Sequence, residues 1–285
     1  MSNSGTNRPA YLSVFWTFMR NSLVRDMTFR SNFWIECVAS TSWIFMNIGF
    51  YMLIFAYTKQ IGPDSGWGKY EFFVFLATTM FINSVVQAMF MPNAQQFSEL
   101  IRTGGLDFAL LKPIDTQFII SLQRMQWSAL ANFFVGIVLL GVSLYQLTAR
   151  SVDPLAIPWF VWLLYPFYLL CGILILYSLM MSLAATSIWL GRNQTLYNFW
   201  FYITNFSRYP MEIYGGPYGA PLRGFFTFVI PVLIVINVPA RLMAKPLADS
   251  GWIMPVFMLL ATVASLAASR WVFQQALLSY RSASS

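Results

Sequence analysis

The chain has 285 residues, of which 58% are apolar or aromatic and 9% charged, against about 25% charged in a soluble domain. So few charges cannot cover a soluble globule of 32.6 kDa, which leaves a polytopic integral membrane protein whose surface lipid solvates. The net charge of +7 comes from Lys and Arg scattered between apolar runs, which excludes a dense nucleic-acid-binding patch and fits anchoring against anionic membrane lipids.

Residues 1–9 are polar and are expected as a disordered tail. Residues 10–32 predict an amphipathic helix in the membrane interface: Leu12, Phe15, Met19 and Leu23 recur at helical spacing, while Arg20, Arg25 and Arg30 supply an anchoring polar side. The N-terminus is not expected to act as a secretory signal, because the first long apolar run begins near Phe33, after four arginines. Crossing a bilayer takes roughly 20 apolar residues, and the first spans are predicted over 33–57 and 70–91.

Pro92–Thr116 is the one sizeable polar segment between the second and third spans. Phe97, Leu100 and Ile101 stand at i, i+3 and i+4 among Gln95, Gln96, Ser98 and Glu99, predicting a short amphipathic helix with one apolar face turned outward. Gly104 and Gly105 are placed to end it, and Asp107 to cap a second short turn through Leu110 and Leu111 before Pro113.

A long third span is expected over 116–147, with Gln123, Arg124 and Gln126 in its first turns and Arg124 snorkelling to the interface. A fourth is expected over 159–190. Three apolar stretches then remain. Spans are assigned to 194–211 and 252–273, and a re-entrant segment to 222–243, which Pro221, Pro231 and Pro239 interrupt. The alternative makes 224–242 the fifth crossing and leaves 194–212 interfacial. Either map gives six crossings, and the basic start puts both termini and the 93–113 segment in the cytoplasm.

The chemistry within reach is narrow. No GxxxxGK[ST] loop is present, so the chain cannot bind ATP by that route. No histidine occurs, and Cys37 and Cys171 lie singly in apolar runs. Zinc and haem sites are therefore excluded, no cofactor is called for, and the two thiols read as small core residues. Asp107 and Asp115 read as a helix cap and an interfacial turn rather than a protease pair. Glu36, the one carboxylate near the membrane interior, reads as an edge ion pair with Arg30 rather than a proton relay. With neither a relay nor a nucleotide site, the energy for any pumping has to come from a partner.

Three stretches resemble the permease subunits of bacterial type-2 ATP-binding-cassette exporters. They are Glu99–Asp107 followed by Leu110-Leu111-Lys112-Pro113, then Arg208-Tyr209-Pro210 through Val238-Pro239-Ala240, and the tail from Tyr280 to Ser285. Ile236-Asn237-Val238 departs from the pattern, where an aromatic is more usual. The resemblance implies an all-α integral membrane fold of six spans with an interfacial N-terminal helix and re-entrant helices before the last span. It also implies that 93–113 is a coupling helix docking a separate soluble ATPase, with Phe97, Glu99, Leu100, Ile101, Arg102, Gly104, Gly105 and Asp107 as the docking residues. It implies pairing with a second permease copy or paralogue in the bacterial inner membrane, export of an amphiphilic or lipid-like substrate, and ATP hydrolysis outside this chain. The rival readings are a secondary carrier and a non-transporting membrane assembly or scaffold protein.

Overall fold

The computed structural model describes residues 10–62, 65–151, 154–191, 194–246 and 251–280. The leader 1–9, Arg192 and the tail from Arg281 lie outside the described residues. Two helices open the chain, α1 (Tyr11–Thr28) and α2 (Arg30–Tyr57), broken at Phe29. A loop over 58–68 leads to α3 (Lys69–Met89), which passes with little bend into α4 (Met91–Arg102). Short helices α5 (Gly105–Leu110) and α6 (Thr116–Leu122) follow, then a 3-10 turn Trp127–Leu130 and α7 (Ala131–Thr148). The long α8 (Val161–Ala185) ends in α9 (Ser187–Leu190). After α10 (Gln194–Asn205) come α11 (Gly216–Gly224), a π-helical turn Phe225–Val229, α12 (Leu233–Ala244) and α13 (Ile253–Ser279).

Among the described residues, five helical stretches are long and apolar enough to cross a membrane: 30–57, 69–102, 127–148, 161–190 and 253–279. The first four alternate in direction. Tyr51 and Phe55 of α2 meet Phe72 and Phe73 at the start of α3, and Arg150 just past α7 pairs with Glu71 at 2.6 Å. One end of the bundle, named here for Trp67, therefore gathers the end of α2, the start of α3 and the end of α7. At the opposite end, Tyr177 of α8 reaches Ser121 and Phe90, and Phe273 of α13 meets Phe97. Both α8 and α13 thus run away from the Trp67 end.

The chain must then return once between α9 and α13. It starts at the Asn93 end, where α9 lies on α4, and by Lys245 it is back at the Trp67 end, donating to the Ser65 carbonyl at 2.9 Å. The span expected over 194–211 is not one long helix. The 12 residues of α10 cover about 18 Å, short of the roughly 30 Å hydrocarbon core, and a 3-10 turn Phe206–Arg208 and Pro210 end the run. The stretch assigned as re-entrant is a bent pair: 216–229 and 233–244 meet at 91° across Ile230-Pro231-Val232. Proline supplies no N–H to carry the helix through.

The third span also differs from expectation. It does not run unbroken from Thr116, because the helix stops at Leu122 and resumes at Trp127.

Packing centres on α3, 72% buried across its apolar window against 6% for α2. It lies beside α7, α8 and α12. Gly172 of α8 lets α12 approach to backbone contact: a Cβ there would stand 2.8 Å from the Val235 carbonyl oxygen. Asn237 explains why a polar residue sits in the buried face of α12. Its amide donates to Leu233 O at 2.7 Å, and its oxygen accepts from Met211 N at 2.8 Å, tying the loop after α10 to α12. At the Trp67 end, Glu212 accepts from the Trp67 indole at 2.9 Å and from Arg241 at 3.1 Å. Cys171 is buried as the sequence predicts, while Cys37 is half-buried.

Candidate functional site

The Asn93 end is where the polar residues of the sequence converge. The break between α6 and α7 leaves four successive backbone N–H groups without helical partners, and such groups inside a membrane protein must be satisfied by protein. Each is met from elsewhere in the chain. Arg124 N donates to Asn93 Oδ1 at 2.9 Å, Met125 N to Ser22 Oγ at 3.0 Å, Gln126 N to Ala88 O at 2.9 Å and Trp127 N to Asp26 Oδ2 at 3.1 Å. The carbonyls are met too: Asn93 Nδ2 donates to Arg124 O at 2.7 Å and Arg25 to Met125 O at 2.7 Å. A junction of α1, α3, α4, α6 and α7 results, sealed by hydrogen bonds rather than by apolar contact alone.

This placement corrects one expectation. Glu36 does not pair with Arg30; it accepts from Ser128 Oγ at 2.7 Å, Gln126 Nε2 at 3.2 Å and Asn32 Nδ2 at 2.8 Å, all on the flank of the break. Arg124 is exposed, and its backbone is held by Asn93. Of the three anchoring arginines, Arg20 and Arg30 are exposed on α1 and at the start of α2, whereas Arg25 belongs to the junction and also pairs with Asp26 at 3.2 Å. Ser22, Asp26 and Asn93 escaped the sequence reading. Their one signal is that polar residues sit on otherwise apolar or exposed helices, with partners 31 to 103 positions away.

Beyond the junction, α4 and α5 form a small projection. The apolar face read from Phe97, Leu100 and Ile101 is not turned outward. Phe97 is buried, with its ring 6.2 Å from Phe273, and Leu100 and Ile101 pack against the same core. The amphipathic period was correct; α8, α9 and α6 lie against α4, and Phe273 of α13 meets Phe97. Glu99 and Arg102 stay outside, joined at 2.6 Å; that hydrogen bond holds the Glu99 carboxyl below its ordinary value. Gly104 takes φ +71°, the left-handed geometry that lets α4 end and α5 begin within one residue. Gly105 sits tight on Leu100, where a Cβ would come within 2.7 Å of its side chain. Asp107 does not cap α5, since Gly104 holds that position. It stands in the first turn, favoured there by the helix dipole, and faces the Tyr280 phenol. Burial first, and then this carboxylate, push that phenol up. What the projection exposes is Phe108 at 72%, Leu111 at 81% and Leu110 at 41%, followed by Lys112 and Pro113.

Asp115 closes the projection. It caps α6 by accepting from Phe118 N at 3.0 Å, and it takes both arms of the Arg270 guanidinium from α13. Burial alone would raise its pKa; the Arg270 fork and the Phe118 N–H outweigh that and hold the carboxyl below its usual range. Three cavities surround the junction: about 390 Å³ between α4 and α6, about 370 Å³ between α2 and α4, and about 250 Å³ between α3 and α10. Among the described residues no three His, Cys, Asp or Glu side chains group as a metal site.

No curated protein and no solved structure matches the chain. The sequence profile of the ABC-2 family transporter protein matches residues 41–284, which take in α3 to α13 and most of α2. With its all-helical architecture and its apolar crossings, the chain belongs to the ABC-2 transporter family, as a membrane-embedded permease subunit.

Proposed function

We propose that this permease is the membrane half of an ATP-driven exporter, and that the α4–α5 projection docks a separate soluble ATPase. The observation that carries the reading is the exposed apolar tip of the projection. Phe108 and Leu111 stand clear of the core, at the same end of the bundle as the exposed Gln95, Gln96, Glu99, Arg102 and Lys112. Burying such side chains is worth about 1.5–3 kcal/mol each, and a groove on a partner recovers it. The chain has no phosphate-binding loop of its own, so the nucleotide belongs to that partner. In this reading ATP binding moves the projection, and the Asn93 junction passes the motion to α1 and α7, a two-state rearrangement without covalent chemistry in this chain.

The same reading sets the topology. The five long helices and the single return between α9 and α13 make six crossings, with α10 and its 3-10 extension as the fifth and the bent pair as a re-entrant element. The Asn93 end faces the cytoplasm, as do both termini, in keeping with Arg20, Arg25, Arg30, Arg102 and Lys112 there. A second permease copy completes the transporter, and the substrate is an amphiphile.

The test is Phe108→Asp together with Leu111→Asp in the full chain. Both side chains are exposed, so the variant is expected to purify folded and monodisperse from detergent. Co-purification of the ATPase should fall at least about tenfold, since losing two apolar contacts costs several kcal/mol. Wild-type recovery of the ATPase would sink the docking assignment. Glu99→Lys with Arg102→Glu, which keeps the salt bridge reversed, is expected to have the smaller effect of an interface rim.

A further inference from the structure

The cavity between α3 and α10 differs in kind from the other two. Asn83 and Gln87 lie one turn apart on α3, and Trp200, Thr204 and Arg208 lie one turn apart on α10 and its 3-10 extension, so two ladders of side chains face each other across about 250 Å³. Gln87 is exposed on a helix that is otherwise the most buried of the bundle. An exposed amide at that position faces either lipid, which it disfavours, or something polar held in the groove.

Among the described residues no acidic side chain lines this groove. Among the described residues no carboxylate pairs with the Arg208 guanidinium, which rests over the Phe201 ring at 5.5 Å. The Trp200 indole N–H is buried and has no hydrogen-bond partner among the described residues. The arginine, the indole N–H and the amides of Asn83, Gln87 and Gln95 offer donors, the Gln126 amide being spent on Glu36, and the arginine is a cation. The hydroxyl of Thr204 is already spent on its own helix, donating to Trp200 O at 3.0 Å. Donor-rich, positively charged and free of carboxylates, the groove matches an oxyanion, which a guanidinium grips with two parallel N–H groups.

Size fixes how much of a ligand enters. Sites that enclose whole drug-sized molecules measure about 300–1,000 Å³, so this groove holds a head group and not an acyl chain. Of the neighbouring apolar side chains, Phe201 lines the groove and Tyr202 is exposed next to it in sequence, so the chain of an amphiphile is left in lipid. We propose that the α3–α10 groove binds the oxyanion head group, phosphate or carboxylate, of an amphiphile, with Arg208 as the anchoring cation and Asn83 and Gln87 as orienting donors. This rests on the exporter reading for its role in transport, although the binding itself requires no ATPase.

The full-length permease in phosphatidylcholine nanodiscs tests it with radiolabelled dodecyl phosphate as the probe. Saturable binding is expected, displaced by dodecanoate and not by dodecyltrimethylammonium. Arg208→Gln should weaken it about tenfold or more, the scale of losing one partner of a desolvated charge pair. Arg208→Lys, which keeps the charge and loses the fork, should weaken it less. Arg20→Gln, at the membrane surface, should leave it unchanged. If dodecanoate fails to compete while dodecyl phosphate binds, the head group is a phosphate; if both compete, the site reads the oxyanion in general.

Equal binding by Arg208→Gln, an equal loss in Arg20→Gln, or equal competition by the ammonium amphiphile would each overturn the assignment. Should Arg208→Gln fail to fold, Asn83→Leu with Gln87→Leu keeps the charge and removes the donors, and undiminished binding by that variant overturns the proposal as well. Retained binding in a permease that recovers no ATPase would leave the groove standing and remove the exporter reading alone.

Discussion

Asn93 carries more of the architecture than any other single side chain. It bonds its own helix at Met89 O and both the N–H and C=O of Arg124, an arrangement only a side-chain amide supplies, since it is donor and acceptor at once. Asn93→Leu keeps the volume and strands two backbone groups at the break. It is expected to cost about 1–3 kcal/mol for each, read as a lower thermal unfolding midpoint in detergent; an unchanged midpoint would mean the break is held by α1 and Ala88 without it. Asp115 supplies a pH-dependent fastening. Its carboxyl is depressed in the folded protein, so its contribution is complete above the unfolded value near 3.9 and is lost as pH falls through the lower folded value. Asparagine caps helices as well as aspartate does, so Asp115→Asn isolates the Arg270 pair. A deficit of about 1 kcal/mol after allowance for solvent screening is expected at pH 7 and pH 5, closing as pH drops below about 3.9. A deficit that persisted unchanged at pH 2 would assign it to something other than charge.

At the scale of elements, hydropathy found α2, α3, α8 and α13, because an uninterrupted apolar run of that length has one stable state in lipid. It found α4 and its apolar period as well. It did not say what covers Phe97, because a period of 3.6 marks a face and not its neighbour, and Phe273 is far along the chain. The break at 123–126 was hidden for a related reason. Gln123, Arg124 and Gln126 lie between apolar flanks and pass as the polar start of a long helix; only partners distant in sequence reveal that the helix stops there. Leu110 and Leu111 were read as a capped turn and Phe108 was not singled out, yet Phe108 and Leu111 are the apolar groups the projection leaves most open. Arg208 was noticed as part of a motif and not as a lone charge, since its isolation depends on which residues fold beside it.

For the whole molecule, the two distinct ends of the bundle make accessibility a direct measurement. In a background lacking Cys37 and Cys171, cysteine at Lys59, exposed at the Trp67 end, is expected to react with a membrane-impermeant thiol reagent in intact cells. Cysteine at Gln96, exposed at the other end, is expected to react only after the membrane is opened. Labelling of Gln96→Cys from outside would invert the proposed orientation and with it the side from which an ATPase could dock.

The junction around Asn93 also bears on the order in which the chain is made. Ser22, Arg25, Asp26, Glu36, Ala88 and Asn93, which satisfy the break and its flank, all precede it, by up to 103 positions. A ribosome delivering Arg124–Trp127 therefore hands those backbone groups to partners already synthesised, and no later segment has to arrive before the interrupted span can settle in lipid. The first helix, which looks like a leader resting on the membrane, acts as a template laid down early for a span that comes a hundred residues afterwards.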